Sequence, residues 1–473
     1  MKIRNSMAAL LVATSLAACA AGPDYVAPVS PPAADAPFLG TAPDGDASDA
    51  AISSAAPAGD WWKLYDDPVL NGLVTQALAA NTDVRVAVAR IEKARSALRG
   101  SQADRLPQTA IDASGGYRRA SEAQLMPGMD REARSVDGQF AVSYELDLFG
   151  RVKRGVEASR ADLAAAQQDA DAVRVTVVAD TVQAYVDATS AAEQIAVATR
   201  TVDLLTNSER ITDARFERGL NQKLDVIRVT QLREQQAASI PTLVARRDAA
   251  LFRLATLTGR TPQDLPEAVR ERQTTPELGQ PIPVGDGRTL LARRPDVKAA
   301  ERRLAADTAR IGVATADLYP KISLGASIGT TAIGATDVLG GGPLRWMLGP
   351  LISWAFPNQE VIRAKIGGAR ADAKADLASF DGTVLRALEE TETALSAYRG
   401  ALLRKDRLAS ARDAADRAAK VSLARQSRGQ IDALDALDAQ RTLALSEAEY
   451  AQGERDVAFA QVRLFRALGG SWN

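Results

Sequence analysis

The sequence predicts a mainly α-helical fold with a transmembrane β-barrel contribution, and three observations support this fold class. Residues 156–218 contain no Gly or Pro and are rich in Ala, Glu, Gln, Arg and Leu, which favour helices. A helix of this length would extend on the order of 95 Å at 1.5 Å per residue. Just before it, apolar residues alternate from Phe140 to Leu148, as in a strand with two different faces. The same succession of patterns returns about 210 residues later.

Several short motifs recur in the same order, which indicates an internal duplication. Asp83-Val84 recurs as Asp296-Val297, and Leu106-Pro107 recurs as Tyr319-Pro320. Gly219 followed by Leu224-Asp225 recurs as Gly429 followed by Leu434-Asp435. The spacing is too long for a solenoid repeat. We therefore predict two copies of one structural unit, at residues 61–270 and 271–473. Two strands precede long helices in each copy, with strands near 108–148 and 321–356 and helices at 150–258 and 358–468.

The N-terminus has the features of a secretory signal followed by a lipid attachment site. Lys2 and Arg4 precede an apolar run, and small residues lead up to Cys19, the sole cysteine. The apolar run is too short to span a bilayer. We predict that residues 1–18 are a signal peptide and that Cys19 carries a diacylglycerol and an N-acyl chain. Ala20 rather than Asp follows the cysteine, which is compatible with delivery to the outer membrane.

The first regular structure is predicted after a tether. Residues 19–60 are rich in Pro, Ala, Asp and Ser, a composition typical of an extended segment. Asp67 can then cap a helix, and Pro68 suits the first turn of that helix. Asn81 is expected to end this helix, and Asp83 is expected to cap the next one.

The composition argues against several classes of function. The chain has no histidine, which removes serine–histidine catalysis, histidine metal sites and the usual general base. The sequence also has no P-loop, no GxGxxG after a strand and no CxxC pair. We therefore predict a protein that is not an enzyme and has no metal or cofactor apart from the lipid on Cys19. Its 58 basic and 59 acidic residues are not the balance of a nucleic-acid-binding protein.

Four stretches are predicted to be strands of membrane-spanning length. They are Gln108–Tyr117, Gly138–Leu148, Lys321–Thr330 and Trp346–Phe356; in the last, Trp346, Leu348, Ile352, Trp354 and Phe356 share one face. Each has about the 9–11 residues that a tilted strand needs to cross a bilayer. The polar or Gly-rich links, 118–137 and 331–344, are expected to be exposed loops. From alternation alone, ordinary hairpins on a soluble helical domain would fit as well.

Four strands cannot close a barrel on their own, and an open sheet edge cannot lie in lipid. Membrane barrels have at least about eight strands. Membrane-crossing strands would therefore have to be pooled by identical chains, in a total that is a multiple of four. Two chains would give an eight-stranded barrel whose interior is filled by side chains, whereas three chains would give a twelve-stranded barrel with room for a lumen. The long helices lead to the same expectation, since narrow apolar stripes rich in Ala suit coiled-coil packing around an aqueous bore.

Two turns lie farthest from the strands, at Arg218-Gly219 and Arg428-Gly429. The second turn is followed by Asp432, Asp435 and Asp438, whose spacing places three carboxylates along one flank of a helix start. Acids in this position can cap the helix and complement its dipole. In a ring of identical subunits, the same carboxylates would form a ring of negative charge that selects cations and narrows a pore. The residues alone leave both interpretations open.

Further motifs extend over essentially the whole chain after the signal peptide. They are Gly22-Pro23-Asp24-Tyr25, the run from Trp61 to Leu70, Asn81-Thr82-Asp83-Val84, the run from Glu145 to Arg151, Arg293-Arg294-Pro295-Asp296-Val297 and the run from Leu434 to Gln440. In combination they resemble the outer-membrane efflux lipoproteins of the TolC-like outer-membrane factor family, in its RND-pump-associated branch.

The resemblance implies a homotrimer with a twelve-stranded outer-membrane barrel on a long periplasmic tube of helices. It also implies docking to a periplasmic adaptor protein and an inner-membrane, proton-driven RND pump. Drugs or other small molecules would leave through the bore. The expected location is the outer membrane, with a lipid anchor and a long periplasmic extension.

The resemblance also assigns roles to residues at the far end of the helices. Asp435 and Asp438 match two aspartates of a gate at the closed periplasmic end. In the first copy, the position that corresponds to Asp438 is occupied by Arg228. We therefore expect the constricting acids in the second copy only. The hairpin tips expected to contact the adaptor comprise Arg218, Gly219, Arg428 and Gly429.

Two other functions stay open beside small-molecule efflux. The same fold also serves exporters of secreted polypeptides, and a structural lipoprotein could link envelope layers by its helices without forming a pore. The lipid attachment motif and Trp61-Trp62 favour small-molecule efflux.

Overall fold

The structure is a computed structural model that describes residues 20–29, 36–41, 49–55, 59–121, 123, 131–333, 342 and 344–470. The predicted signal peptide, Cys19 and parts of the predicted tether lie outside these ranges. The described part contains ten α-helices and six strands. The helices are α1 Pro68–Ala80, α2 Thr82–Ala103, α3 Arg151–Glu217, α4 Lys223–Ala237, α5 Ser239–Leu257, α6 Glu267–Arg270, α7 Gly287–Arg293, α8 Pro295–Ala316, α9 Glu360–Ser427 and α10 Ala433–Ala467. The strands are β1 Ile52–Ser53, β2 Gln108–Arg119, β3 Glu132–Leu146, β4 Ile282–Pro283, β5 Lys321–Ile333 and β6 Leu344–Ser353.

The chain divides into two compact units, and each draws segments from both halves of the sequence. The first unit comprises the segment before Val29 together with Arg90–Ala166 and Ala299–Phe380. The second unit comprises Val29–Ala89, Gln167–Lys298 and the chain from Asp381 onward. The residue boundaries predicted for the two repeats stay a prediction.

Two helices are far longer than the helices of ordinary globular proteins. Helix α3 has 67 residues and α9 has 68, which confirms the prediction of very long helices. Helix α3 begins at Arg151, within one residue of the predicted start at 150. Asp147 accepts hydrogen bonds from the backbone N–H of Val152 at 3.0 Å and of Lys153 at 2.7 Å at this helix start. Among the helices of the described residues, none is long and apolar enough to cross a membrane.

The first unit contains an antiparallel four-stranded sheet in the order β2-β3-β5-β6. Pairing of β3 with β5 joins a strand from the first half of the chain to one from the second half. Strands β2 and β6 therefore each leave one edge without a partner in the described chain. Every residue of β2 is exposed, and β6 is exposed at nearly every position.

All four strands extend further into the predicted loops than expected, and β6 does so by beginning at Leu344. Strand β2 continues to Arg119 and β3 begins at Glu132, and the side chains of these two residues form an ion pair at 3.1 Å. Strand β5 continues to Ile333, beside an ion pair at 2.9 Å between Arg345 and Asp137. Cross-strand contacts thus extend the ladder, and the predicted loops at 118–137 and 331–344 are correspondingly too long.

The prediction that β6 includes Trp354 and Phe356 is wrong. The strand ends at Ser353, and the Trp354 Nε1–H then donates a hydrogen bond to the Leu318 backbone carbonyl at 3.0 Å. The ring of Phe356 stacks on Trp354, with centroids 4.6 Å apart. Leu148 likewise lies beyond the end of β3. These apolar residues continue the alternation after the backbone has left the sheet.

The two faces of the sheet differ in polarity. One transverse row consists of Ile111, Phe140, Ile328 and Trp346, which are adjacent in the ladder and are 80%, 41%, 51% and 74% exposed. The opposite face carries polar contacts, as Asp137 accepts hydrogen bonds from Thr331 at 2.6 Å and from Arg345. An exposed apolar row backed by a polar face is the arrangement of a strand set with lipid on one side and water on the other.

The core of the second unit is built around Trp61 and the end of α10. Trp61 is buried and stacks on Phe465, with ring centroids 4.6 Å apart. Asp67 is 2% exposed and accepts hydrogen bonds from the backbone N–H of Val69 at 2.9 Å and from the Tyr185 hydroxyl at 2.9 Å. The predicted cap of α1 by Asp67 is confirmed.

The predicted cap of α2 by Asp83 is wrong. Asn81 takes this role, since its Oδ1 accepts the N–H of Asp83 at 2.8 Å and of Val84 at 3.3 Å. Its amide also donates to the Leu257 carbonyl at 3.0 Å, so this one side chain starts α2 and holds it to the end of α5. Asp83 instead lies in the first turn, where its negative charge complements the helix dipole.

Candidate functional site

The two predicted hairpin tips have the same backbone geometry. Gly219 and Gly429 have φ angles of +70° and +72°, in the left-handed region that glycine adopts without strain. The N–H of Leu220 donates to the Arg215 carbonyl, and the N–H of Gln430 donates to the Arg425 carbonyl, both at 2.9 Å. This is the Schellman pattern, which satisfies carbonyls at the end of a helix and reverses the chain.

The tips present exposed side chains. Arg218 and Arg428 are exposed, and within the described residues their guanidinium groups have no hydrogen bond or ion pair. Leu220 is 70% exposed, although it is a large apolar residue. Each tip therefore combines a positive charge with accessible backbone at the end of a helical hairpin.

The three carboxylates after the second tip have different roles. Asp432 is the N-cap of α10 and accepts the N–H of Asp435 at 2.9 Å. Asp435 and Asp438 are exposed, and their carboxylates form no hydrogen bond or ion pair in the described part of the chain. Capping therefore accounts for Asp432 but not for the other two. In the first copy, Asp225 itself accepts the N–H of Gln222, at 3.2 Å.

Asp438 lies in a groove whose positive charges the sequence interpretation did not include. The groove has a volume of about 220 Å³ and is lined by residues of α4 and α10. Arg228, which replaces the second acid in the first copy, lines the groove together with Asp438. Arg441 also lines it, and its position three residues after Asp438 could have identified it as a neighbour on the same helix face. Two guanidinium groups thus share the groove with one carboxylate.

A second set of contacts, which sequence reasoning missed, holds the segment Ala20–Tyr25 against the rest of the first unit; we call this segment the strap. The buried Arg154 donates a hydrogen bond to Asp24 at 2.5 Å, and the Tyr25 hydroxyl donates to Glu301 at 2.8 Å. The Arg154 guanidinium, by hydrogen bond and by charge, holds the pKa of the Asp24 carboxyl below its usual value.

A family model described as outer membrane efflux protein matches residues 73–260 and 287–470. The chain belongs to the outer membrane efflux protein family. The family resemblance inferred from the motifs is therefore confirmed, and the two matches to one model agree with an internal duplication.

Curated members of the outer membrane efflux protein family are similar over nearly their full length. The outer membrane protein OprJ of Pseudomonas aeruginosa is 33% identical over 471 residues, which cover 99% of this chain and 96% of OprJ. The solvent efflux pump outer membrane protein SrpC of Pseudomonas putida is 30% identical over 466 residues, which cover 97% of this chain and 96% of SrpC. Nodulation protein T of Rhizobium leguminosarum bv. trifolii is 28% identical, with 97% and 96% covered.

Solved structures in the outer membrane efflux protein family share the fold. The outer-membrane channel OprN matches with a TM-score of 0.88 and 36% identity, covering 96% of this chain and all of that chain. The open-state MtrE outer membrane channel of Neisseria gonorrhoeae matches with a TM-score of 0.81 and 26% identity, covering 96% and 98%. The predicted fold class, mainly helical with four long strands in each chain, is confirmed.

Proposed function

We propose that this chain is the outer-membrane channel subunit of a tripartite efflux system, a passive conduit for drugs or other small molecules. The observation that carries the proposal is the open four-stranded sheet, with two unpaired edges and one exposed apolar face. Backbone N–H and C=O groups at a lipid-exposed edge would each cost several kcal/mol. The edges of β2 and β6 must therefore be covered by other strands in a membrane.

Three copies of the chain close such a sheet. Four strands per copy give a twelve-stranded barrel, in which β2 of one copy pairs with β6 of the next. An even number of antiparallel strands is what membrane barrels of this kind use, and twelve leave room for a lumen. The polar face with Asp137 and Arg345 then faces the lumen, and the row from Ile111 to Trp346 faces lipid.

The long helices continue the conduit in the periplasm. Exposed apolar side chains persist along α9, including Leu385 and Val421, and these positions become buried when neighbouring copies pack side by side. The energy for transport comes from an inner-membrane, proton-driven RND pump. A periplasmic adaptor links the pump to this channel and docks at the hairpin tips around Gly219 and Gly429.

The carboxylates after the second tip form the periplasmic gate. Asp435 and Asp438 are exposed and without partners in the described part of the chain, so they are available to line a constriction. Three copies place six carboxylates there, and a ring of acids favours cations. Because two Arg side chains share the groove of Asp438, Asp435 contributes more of the net negative charge.

Lipidation of Cys19 anchors the protein in the outer membrane, in addition to the barrel. The motif before Cys19 supports this assignment, and the docked strap begins at the very next residue. Several acyl chains on one residue give stable membrane anchoring.

Single-channel recording and native mass spectrometry of detergent-extracted protein test the proposal. We expect a trimer and discrete cation-selective currents in planar bilayers. A monodisperse monomer without currents would refute a channel and favour a structural lipoprotein. Deletion of the gene should increase susceptibility to drugs; an unchanged susceptibility with loss of secreted polypeptides would instead identify a polypeptide exporter.

A further inference from the structure

A groove with an apolar wall lies in the first unit, where the sheet ends and the helices begin. Its volume is about 450 Å³, and it is lined by the ends of β3, β5 and β6 and the first residues of α3 and α9. The apolar wall comprises Leu148, Tyr319, Trp354 and Val361, which are 42–64% exposed. Phe149 stacks on Tyr319 with ring centroids 4.4 Å apart and fixes one side of this wall. Four large apolar side chains thus share one opening without covering one another.

The strap brings the N-terminal end of the described chain to this groove. The N–H of Ala21 donates to the Phe149 carbonyl at 2.9 Å, and Phe149 lines the groove. Ala20 packs so closely on Gly150 that a Cβ there would lie 2.7 Å from the Ala20 Cβ. Cys19 directly precedes Ala20, and a trans peptide separates consecutive Cα atoms by about 3.8 Å. The strap therefore holds Ala20, the residue that follows Cys19 in the sequence, beside the groove.

We propose that this groove holds an acyl chain carried by Cys19. The inference rests on the lipidation of Cys19 proposed above. An acyl chain matches the apolar wall chemically, since its burial removes the exposed surface of Trp354 and Val361 from water. Covalent attachment also gives the chain a high effective concentration at the groove, so that it excludes free membrane lipids. The strap then acts as the connection that fixes the anchor to the folded protein.

The charges of the groove favour this occupant over a phospholipid headgroup. Three cationic and three acidic side chains line the groove, namely Arg151, Lys321, Lys365, Glu145, Asp147 and Asp317. Arg151 donates to both oxygens of Glu145, at 2.9 and 2.7 Å, and the Lys321 ammonium lies 2.9 Å from the same carboxylate. Two of the three cations are thus paired within the groove, and the three acidic side chains equal the three cationic ones in number. A phosphate group would therefore gain little electrostatic stabilisation in this groove. The diacylglycerol on a cysteine carries no phosphate and does not need such stabilisation.

Photo-crosslinking with an acyl probe tests the inference. Cells are fed a palmitate analogue with a diazirine at its terminal carbon, membranes are irradiated, and the full-length protein is purified and digested. We expect crosslinked pairs that join the N-terminal Cys19 peptide to peptides containing Trp354 or Tyr319. Val361→Glu should reduce their yield several-fold, because a carboxylate disfavours an apolar chain beside it. Leu148→Glu provides a second, independent disruption of the same wall.

Leu106→Glu is the matched control, since Leu106 is an exposed apolar residue of the first unit that lies outside α9 and does not line the groove. It should leave the yield unchanged. Groove peptides that carry a lipid adduct but not the Cys19 peptide would show a free membrane lipid as the occupant and overturn the proposal. Crosslinks to peptides of other surfaces would also overturn the proposal, if mass spectrometry shows that Cys19 is acylated. An unmodified Cys19 peptide would refute lipidation itself, and with it the proposal.

Discussion

At the scale of single residues, the hairpin tips depend on two glycines because of backbone conformation and not because of space. A Cβ at Gly219 or Gly429 would meet nothing within 4 Å, yet both residues have positive φ angles. A left-handed conformation costs a residue with a side chain about 1–2 kcal/mol. The local stability of each tip, and the position of its backbone, therefore depend on the absence of a side chain.

Gly219→Ala and Gly429→Ala should each destabilise a tip by about 1–2 kcal/mol and weaken adaptor docking. Gly367→Ala is the control, since this glycine lies in α9, has open space around it and has no positive φ. The control should be neutral or slightly stabilising. Drug susceptibility and binding of the purified adaptor measure the effect, and equal behaviour of tip and control variants would contradict the assigned role.

The gate acids are expected to differ in their contributions to selectivity. Replacing Asp435 and Asp438 together with Ala should raise the conductance and weaken cation selectivity in planar bilayers. Asp435→Ala alone should reduce selectivity more than Asp438→Ala, because Arg228 and Arg441 already offset the charge of Asp438. Asp225→Ala in the first copy is the matched control. Unchanged current and selectivity in the double variant would show that neither acid belongs to the gate.

At the scale of elements, the two faces of the sheet should respond oppositely to charge. Ile328→Lys places an ammonium in the middle of the apolar row, which costs about 2–4 kcal/mol near the bilayer midplane. Ser327→Lys changes the adjacent residue of β5, whose side chain points to the opposite face. The amount of assembled protein in outer-membrane fractions should fall only for Ile328→Lys. Equal losses would argue against lipid contact on the apolar face.

The strap should hold its docked position in a pH-dependent manner. Its Asp24 carboxyl has a pKa lowered by Arg154, so the stabilisation is present above the ordinary value of 3.8 and is lost as the pH falls through the lowered value. Asp24→Asn should therefore lower the thermal midpoint at neutral pH, and the difference from wild type should vanish in acid. Asp213→Asn, an exposed carboxylate on α3, serves as control. A difference that persists in acid would point to a cause other than the ion pair.

At the scale of the whole molecule, assembly should cover both open edges of the sheet. In the detergent-extracted protein, backbone amides of β2 and β6 should exchange hydrogen as slowly as those of β3 and β5, because each would have a partner strand on both sides. The inner strands provide the reference within the same sample. Fast exchange confined to β2 and β6 would mean that the edges stay open and that the barrel does not form from several chains.

Much of the fold could be predicted because it depends on interactions between near neighbours in the chain. The lengths of α3 and α9 follow from composition, the cap at Asp67 from a short motif, and the tip glycines from their position after a helix. The strand ends could not be predicted in this way. Trp354 keeps the apolar alternation of β6 but lies outside it, since its indole binds the Leu318 carbonyl of a distant segment.

By itself, the sequence determined the long helices, the duplication, the alternating faces of the strands and the family, all of which are encoded in local periodicity or in motifs. Only the tertiary structure decided that β3 pairs with β5, that Arg228 and Arg441 share a groove with Asp438, and that Asp24 binds Arg154. The physical reason is that these contacts join residues far apart in the chain. Their strength depends on distance and burial in the folded protein, and no local pattern of residues records either.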